Sequence, residues 1–246
     1  MEFVSKETIK RLLKDVKHIM QQPLTDNGIY YCHDDKDMLK GYALIIGPED
    51  TPYFGGNYFF EFKYPADYPH APPKVTYCTN GDDVRFNPNL YKCGKVCVSI
   101  LNTWSGDQWT SCQTISTVLL TLCTLLCKNP LLNEPGINEK HLEITKYNNI
   151  IEHANLNVAI CNIIMRKEGC YRPFFELFYL HVAEIFLKNY DKLIEFSQKK
   201  KEEMKDIPVV VVTFYNMASK MNYEKTLQKL ENCRRLLQEI QETKNV

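Results

Sequence analysis

Residues 41–64 read GYALIIGPEDTPYFGGNYFFEFKY, and this stretch decides the fold. Two runs rich in aromatic and β-branched residues, 42–46 and 58–62, flank a segment holding Gly47-Pro48, Thr51-Pro52 and Gly55-Gly56. Such side chains suit a pleated, half-buried surface, and Gly and Pro punctuate turns. The reading is two strands, 41–47 and 57–64, joined by a turn-rich connection. Working outward, residues 29–33 and 74–78 read as two further strands on either side of this pair. The segment PADYPHAPP, residues 65–73, holds four prolines in nine positions, which excludes helix and central strand and leaves a stiffened surface loop.

The flanks are helical. Residues 5–21 carry Ile9, Leu12, Leu13, Val16 and Ile19 at helical spacing, and Pro23 stops the run. Residues 113–128 are apolar on nearly every side and read as a helix buried in the core. A Pro-bounded loop follows over 129–136, then a helix over about 142–165. Past Gly169 come a long amphipathic helix, 174–204, a β-branched run, 207–214, that is either a strand or a buried connector, and a charged amphipathic helix, 223–241. The order is one N-terminal helix, a four-stranded antiparallel meander, and then C-terminal helices. That is an α+β fold with its helices segregated from the sheet. The expected division is a core domain over 1–168 and a mostly helical extension over 169–246. The extension either supplies a partner surface or covers apolar area left by the core; the second reading is favoured.

Thirty basic residues balance thirty acidic ones. A neutral chain makes no general case for nucleic acid or an anionic membrane as partner. The longest apolar stretch, residues 115–127, is too short and too rich in threonine to span a bilayer. Residues 1–20 are charged and helix-periodic, not apolar, so no secretory signal is expected. The ten cysteines are scattered, several inside apolar runs. Reduced thiols in a cytoplasmic or nuclear protein are the expectation, not a disulfide framework. Cys93/Cys97 and Cys123/Cys127 are each spaced by four, but no CxxC pair or flanking histidine supports zinc, and no metal is expected.

Residues 86–101 read FNPNLYKCGKVCVSIL. Cys97 lies eight residues after Asn89. A thiol with a carboxamide a short fixed distance upstream suits thioester chemistry: a soft nucleophile to hold an acyl group, and a neutral donor near a developing oxyanion. Free cysteines are more often small buried hydrophobes, and spacing alone favours that plainer role.

The ordered motifs from Gly41 to Gly136 change the balance. Ile46-Gly47-Pro48-Glu49-Asp50-Thr51-Pro52-Tyr53, Tyr64-Pro65-Ala66-Asp67-Tyr68-Pro69, Phe86-Asn87-Pro88-Asn89, Gly94-Lys95-Val96-Cys97 and Gln108-Trp109-Thr110 occur in that order. Together they resemble the ubiquitin-conjugating enzyme family. Asn-Pro-Asn in place of His-Pro-Asn, the loop through Leu101-Asn102-Thr103-Trp104-Ser105-Gly106 and the long C-terminal part are similar to its large class.

The resemblance implies a transferase that carries ubiquitin or a ubiquitin-like protein as a thioester on Cys97. It implies an activating enzyme, a ubiquitin ligase and a protein substrate as partners. No metal or organic cofactor is needed, because ATP is spent upstream. Asn89 takes the place of the family's catalytic asparagine, either donating to the oxyanion or holding the active-site loop. Glu134 falls near the family's acidic gate, where a carboxylate orients an incoming lysine and accepts its proton; a solvated loop acid is the equal alternative. Asn87 is expected to stabilise its turn through side-chain-to-backbone bonds. His70, Thr110 and Ser111 fall on the ligase-binding loops. Lys6 and Lys10, with Arg11, Lys14 and Lys17, are the helix face toward the activating enzyme. Lys92 and Lys95 either favour the thiolate or are solvated, and Tyr91 and Trp104 either shape a groove or simply pack. The alternative of another class is a non-catalytic ubiquitin-binding scaffold on the same fold.

Overall fold

A computed structural model describes residues 4–244; the first three residues of the charged N-terminal segment and the last two of the extension lie outside that range. Helix α1 spans Lys6–Gln21, capped by the Ser5 hydroxyl, which accepts from the Thr8 amide at 3.0 Å. Its apolar stripe, Leu12, Val16 and Ile19, is buried, while Lys6, Lys10, Lys14 and Lys17 stay exposed.

Four strands follow: β1 (Ile29–His33), β2 (Lys40–Ile46), β3 (Asn57–Lys63) and β4 (Lys74–Tyr77), in spatial order β1-β2-β3-β4, each antiparallel to the next. Register places Tyr30 opposite Leu44 and Leu44 opposite Phe59, so these residues and Tyr42 share one face. Ala43, Ile45, Tyr58 and Phe60 point the other way, and all four are buried. The central strands therefore lack the polar alternation of a sheet with one wet face.

The cover on the first face comes from the extension. Phe175 stacks on Phe59 at 3.8 Å between ring centres, Phe174 on Tyr42 at 4.6 Å, and His181 on Tyr30 at 4.4 Å. These residues lie in a 3-10 segment, Pro173–Phe178, and in the first turn of helix α4, Tyr179–Glu203. The helix expected over 174–204 thus begins later than its periodicity suggests, because the aromatic run 174–178 follows the sheet surface instead of coiling.

Helix α2 (Ile115–Leu125) corrects another expectation. It is not buried on every side: Ile115, Val118, Leu119, Leu122 and Leu125 face the core, whereas Thr117, Leu120 and Thr124 are exposed. Its threonines carry the outer face, and Thr114 with Thr117 closes a capping box at its start. Helix α3 (Ile144–Ala154) runs directly into a π-helical segment, Asn155–Asn162, every residue of which is buried. There Asn155 accepts from the Tyr58 hydroxyl at 2.6 Å and donates to the Phe54 carbonyl at 2.9 Å, and Asn57 donates to the Ala159 carbonyl at 2.8 Å. Buried amides need such partners.

The run 207–214 resolves as strand β5 (Val209–Val212), paired with β6 (Met217–Lys220) in a hairpin that the sequence reading lacked. Helix α5 (Tyr223–Lys244) packs on α4 and on the π segment. Core and extension share one contiguous apolar cluster, from Leu12 to Leu237.

Candidate active site

Tyr53 and Phe86 anchor the loop that carries Cys97. The Tyr53 hydroxyl donates to the Phe86 carbonyl at 2.6 Å and accepts from Asn87 Nδ2 at 3.0 Å. Asn87 is wholly buried. Its Nδ2 also donates to the Leu125 carbonyl at 2.8 Å, and its Oδ1 accepts from the Asn89 amide at 2.9 Å. Asn87 thus makes bonds of the expected side-chain-to-backbone kind, and it ties the turn to the C-terminus of α2. A short hairpin follows, with Tyr91 N–H on the Lys95 carbonyl and Gly94 N–H on the Tyr91 carbonyl, both at 2.9 Å. Gly94 takes φ +91°, and a Cβ there would sit 2.9 Å from the Thr76 methyl, so both backbone angle and space favour glycine.

That hairpin returns Cys97 alongside Asn89. The Cys97 amide donates to the Asn89 carbonyl at 2.9 Å, and Asn89 Nδ2 donates to the Cys97 carbonyl at 2.6 Å. The two residues expected to cooperate are therefore locked together through backbone and side chain. Cys97 is only 1% exposed, yet it lies outside the contiguous apolar cluster that includes Val96 and Val98 on either side of it. Beyond it, Thr103 Oγ1 accepts from the Val98 amide and donates to the Val98 carbonyl, both at 3.0 Å, and residues 102–108 are exposed throughout. Trp104 is 43% exposed.

Lys92 and Lys95 are both exposed and have neighbours of their own. Lys92 Nζ pairs with Asp83 at 2.7 Å, and Lys95 Nζ lies 5.7 Å from the centre of the Tyr91 ring. Their solvated reading is the one the structure supports, since opposite charge and an aromatic face nearby engage them first.

Glu134 is half-buried at the end of a 3-10 turn, Pro130–Asn133. It accepts a hydrogen bond from the Tyr215 hydroxyl. The Arg85 guanidinium lies over two rings, 4.1 Å from the centre of Tyr215 and 3.7 Å from the centre of Tyr91. Arg85 in turn donates to the Pro88 carbonyl, inside the Asn-Pro-Asn turn. Burial, and then the Glu134 carboxylate, push the Tyr215 hydroxyl far above its ordinary value, which keeps it a donor across the working pH range. Sequence reasoning missed Tyr215 and Arg85. Tyr215 meets Arg85 and Glu134 from far along the chain, and an Arg or Tyr alone carries no spacing signal.

The expected partner-facing residues gather at one end of the fold. His70, Thr110 and Ser111 are exposed, and the Trp109 indole donates to the Pro69 carbonyl at 2.7 Å, joining the two loops that bear them. Arg11 from α1 donates to the Ser111 carbonyl at 2.5 Å and the Gln113 carbonyl at 2.7 Å and pairs with Asp15, so it is a bracket, not part of an open basic face. Lys6 and Lys10 remain exposed. All ten cysteines are free thiols, and among the described residues no group of three His, Cys, Asp or Glu side chains is placed to hold a metal.

Comparison with known proteins agrees with this architecture. Residues 11–172 match the family model described as ubiquitin-conjugating enzyme. The chain is 42% identical over 193 residues to ubiquitin-conjugating enzyme E2 Z of Danio rerio, covering 77% of this chain and 57% of that protein. It is 43% identical over 175 residues to the Homo sapiens protein of the same name, covering 70% of this chain and 49% of that protein. A match at 35% identity covers 72% of this chain but 4% of the human dual E2 ubiquitin-conjugating enzyme/E3 ubiquitin-protein ligase BIRC6. The chain spans about half the length of the E2 Z relatives it matches. With a four-stranded meander, an Asn-Pro-Asn turn clasping a cysteine, and a family match over most of its length, the chain belongs to the ubiquitin-conjugating enzyme family.

Proposed function

We propose that this protein accepts ubiquitin or a ubiquitin-like modifier from an activating enzyme as a thioester on Cys97, and passes it to a substrate lysine or a ligase cysteine. The observation that carries the reading is the reciprocal clasp between Asn89 and Cys97. It keeps a neutral side-chain donor against the backbone of the nucleophile, the type of group that stabilises an oxyanion. In the charging step the Cys97 thiolate attacks the modifier's C-terminal thioester carbonyl. A new C–S bond forms and the activating enzyme's sulfur leaves as thiolate. In discharge an amine or thiolate attacks the same carbonyl and Cys97 is released. Glu134 serves as the carboxylate that receives an amine proton.

The exposed faces bearing Lys6, Lys10, His70, Thr110 and Ser111 are the surfaces we assign to the activating enzyme and the ligase. The names of the relatives, conjugating enzymes and a hybrid conjugating enzyme and ligase, support partners of this kind. Ten free thiols support a reducing, cytoplasmic or nuclear setting.

The test is a charging reaction with activating enzyme, ATP and modifier, resolved on a non-reducing gel. A thiol-sensitive adduct is expected, absent in Cys97→Ala and converted to a thiol-resistant oxyester in Cys97→Ser. An adduct that survives Cys97→Ala overturns the assignment. The burial of Cys97 is the one observation that favours a non-catalytic scaffold. Failure to charge with any modifier and activating enzyme, while non-covalent modifier binding persists, would establish that second reading.

A further inference from the structure

We propose that Tyr215, contributed by the C-terminal extension, is a positioning residue for Glu134 in transfer to lysine, so that the tip of the β5–β6 hairpin completes the acceptor side of the site. The inference rests on the thioester reading above and deepens it.

Three observations converge on this side chain. Its hydroxyl donates to Glu134 Oε2. Its ring lies with that of Tyr91 against Arg85, whose guanidinium donates to the Pro88 carbonyl between Asn87 and Asn89. One residue of the extension therefore touches both the acid and the arginine that braces the loop bearing Asn89. The third observation is the backbone. Tyr215 takes φ +63° and Asn216 φ +49°. A bulky aromatic residue is uncommon in this left-handed region, and it persists there where surrounding contacts fix it. Those contacts are present. The Glu143 carboxylate accepts from the Thr213 amide at 2.8 Å, from its hydroxyl at 2.9 Å and from the Phe214 amide at 3.3 Å, and the hairpin ladder closes behind them. The tip is pinned from α3, and the tyrosine is aimed at the acid.

The chemistry needs that aim. A lysine arrives as an ammonium and must shed a proton before its nitrogen can attack. One proton passes to Glu134, the C–N bond forms, the C–S bond breaks, and Cys97 sulfur leaves with the electron pair; the second proton goes to water. A carboxylate has about four lone-pair sites, so one bond to Oε2 fixes its orientation and leaves capacity for the amine. Without Tyr215 the acid is free to rotate, and the time it spends aimed at the acceptor falls.

Tyr215→Phe keeps the ring over Arg85 and removes only the hydroxyl. We compare the parent, Tyr215→Phe, Glu134→Gln and the double variant, each charged and then discharged in single turnover into free lysine and into hydroxylamine. Hydroxylamine is already unprotonated near neutral pH and needs no base. The ratio of lysine to hydroxylamine discharge is expected to fall about fivefold in Tyr215→Phe, the worth of one hydrogen bond. The double variant is expected to be no slower than Glu134→Gln, because the hydroxyl acts through that acid. An unchanged ratio, equal slowing toward both nucleophiles, or multiplying effects would overturn the proposal. A second readout is independent of the reaction: carbodiimide labelling of Glu134 in the uncharged protein, read by peptide mass spectrometry, is expected to quicken about fivefold in Tyr215→Phe. Equal labelling overturns the contact itself. Failure of the parent to charge overturns the thioester reading alone, and the labelling then decides the Tyr215–Glu134 contact.

Discussion

Asn89 and Cys97 exchange two hydrogen bonds: the cysteine amide reaches the asparagine carbonyl at 2.9 Å, and the asparagine side-chain amide reaches the cysteine carbonyl at 2.6 Å. The donor suited to an oxyanion is thus occupied by the backbone of the nucleophile itself before any acyl group arrives. Asn89 Oδ1 is buried and has no hydrogen-bond partner among the described residues. For Asn89→Ala we expect discharge to lysine to slow about 100-fold, within the range for loss of one oxyanion donor, and charging to slow less. Single-turnover rates of the two half-reactions check this. Equal slowing of both would assign Asn89 to holding the loop instead.

Asn87 stands where the family resemblance leads one to expect histidine, and it is fully buried with bonds to Leu125, Tyr53 and Asn89. Asn87→Ala leaves the Leu125 carbonyl and the Asn89 amide without that partner. A loss of about 2–3 kcal/mol in unfolding stability is expected, readable as a lower chemical-denaturation midpoint. Tyr53→Phe, which removes one hydroxyl from the same network, should cost about 1 kcal/mol.

Phe175 is wholly buried and stacked on Phe59. Phe175→Ala is expected to cost about 3–5 kcal/mol, while Trp104→Ala, at an exposed site, should stay within about 0.5 kcal/mol of the parent. Denaturant titration of both separates them; similar values would show that the extension does not hold the sheet.

His153, in the last turn of α3, faces α5, 3.3 Å from Asn157 Nδ2 and with its ring edge-on to Tyr223. Burial lowers its pKa below the usual histidine value, and a hydrogen bond to the Asn222 backbone opposes this without reversing it. The unfolded chain therefore takes up the proton first as pH falls. The stability tied to neutral His153 is complete above about pH 6.5 and is lost as pH drops from there through the lower folded value. The melting temperature should decline between about pH 7 and pH 5, and His153→Gln should flatten that decline. His33 is shifted the same way by burial and contributes a separate part of the slope. An unchanged slope in His153→Gln would exclude it as a contributor.

The strands and the order of elements were legible because their signals are local: alternating or aromatic runs bounded by Gly and Pro, and apolar residues at helical spacing. The reading of 29–33 matches β1 to the residue, β2 lies one residue earlier than read at both ends, and β3 and β4 each end one residue sooner. Asn89 and Cys97 lie eight residues apart, and they and Glu134 stood out through the ordered motifs that carry the family resemblance. What failed was long-range. The 3-10 path of 173–178 is set by the sheet face it covers, not by its own periodicity. The second strand of the late hairpin, 217–220, is four residues long with no β-branched or aromatic side chain, and its partner supplies its pairing. Tyr215 meets Glu134 and Arg85 only because that hairpin folds back over α3. Arg11 looked like one more solvated cation on a basic helix; its bracket across residues 111–113 depends on a loop about a hundred residues away.

The double-sided sheet bears on how the chain is made. All four strands leave the ribosome well before Phe174 and Phe175 do, so for much of synthesis the ring surface around Tyr42 and Phe59 has no partner. A nascent chain in that state presents an adhesive aromatic face, and vectorial synthesis delays its closure until the C-terminal helices emerge. Ribosome pausing within the segment encoding 140–170 would lengthen that interval, and binding by a holdase chaperone would protect it.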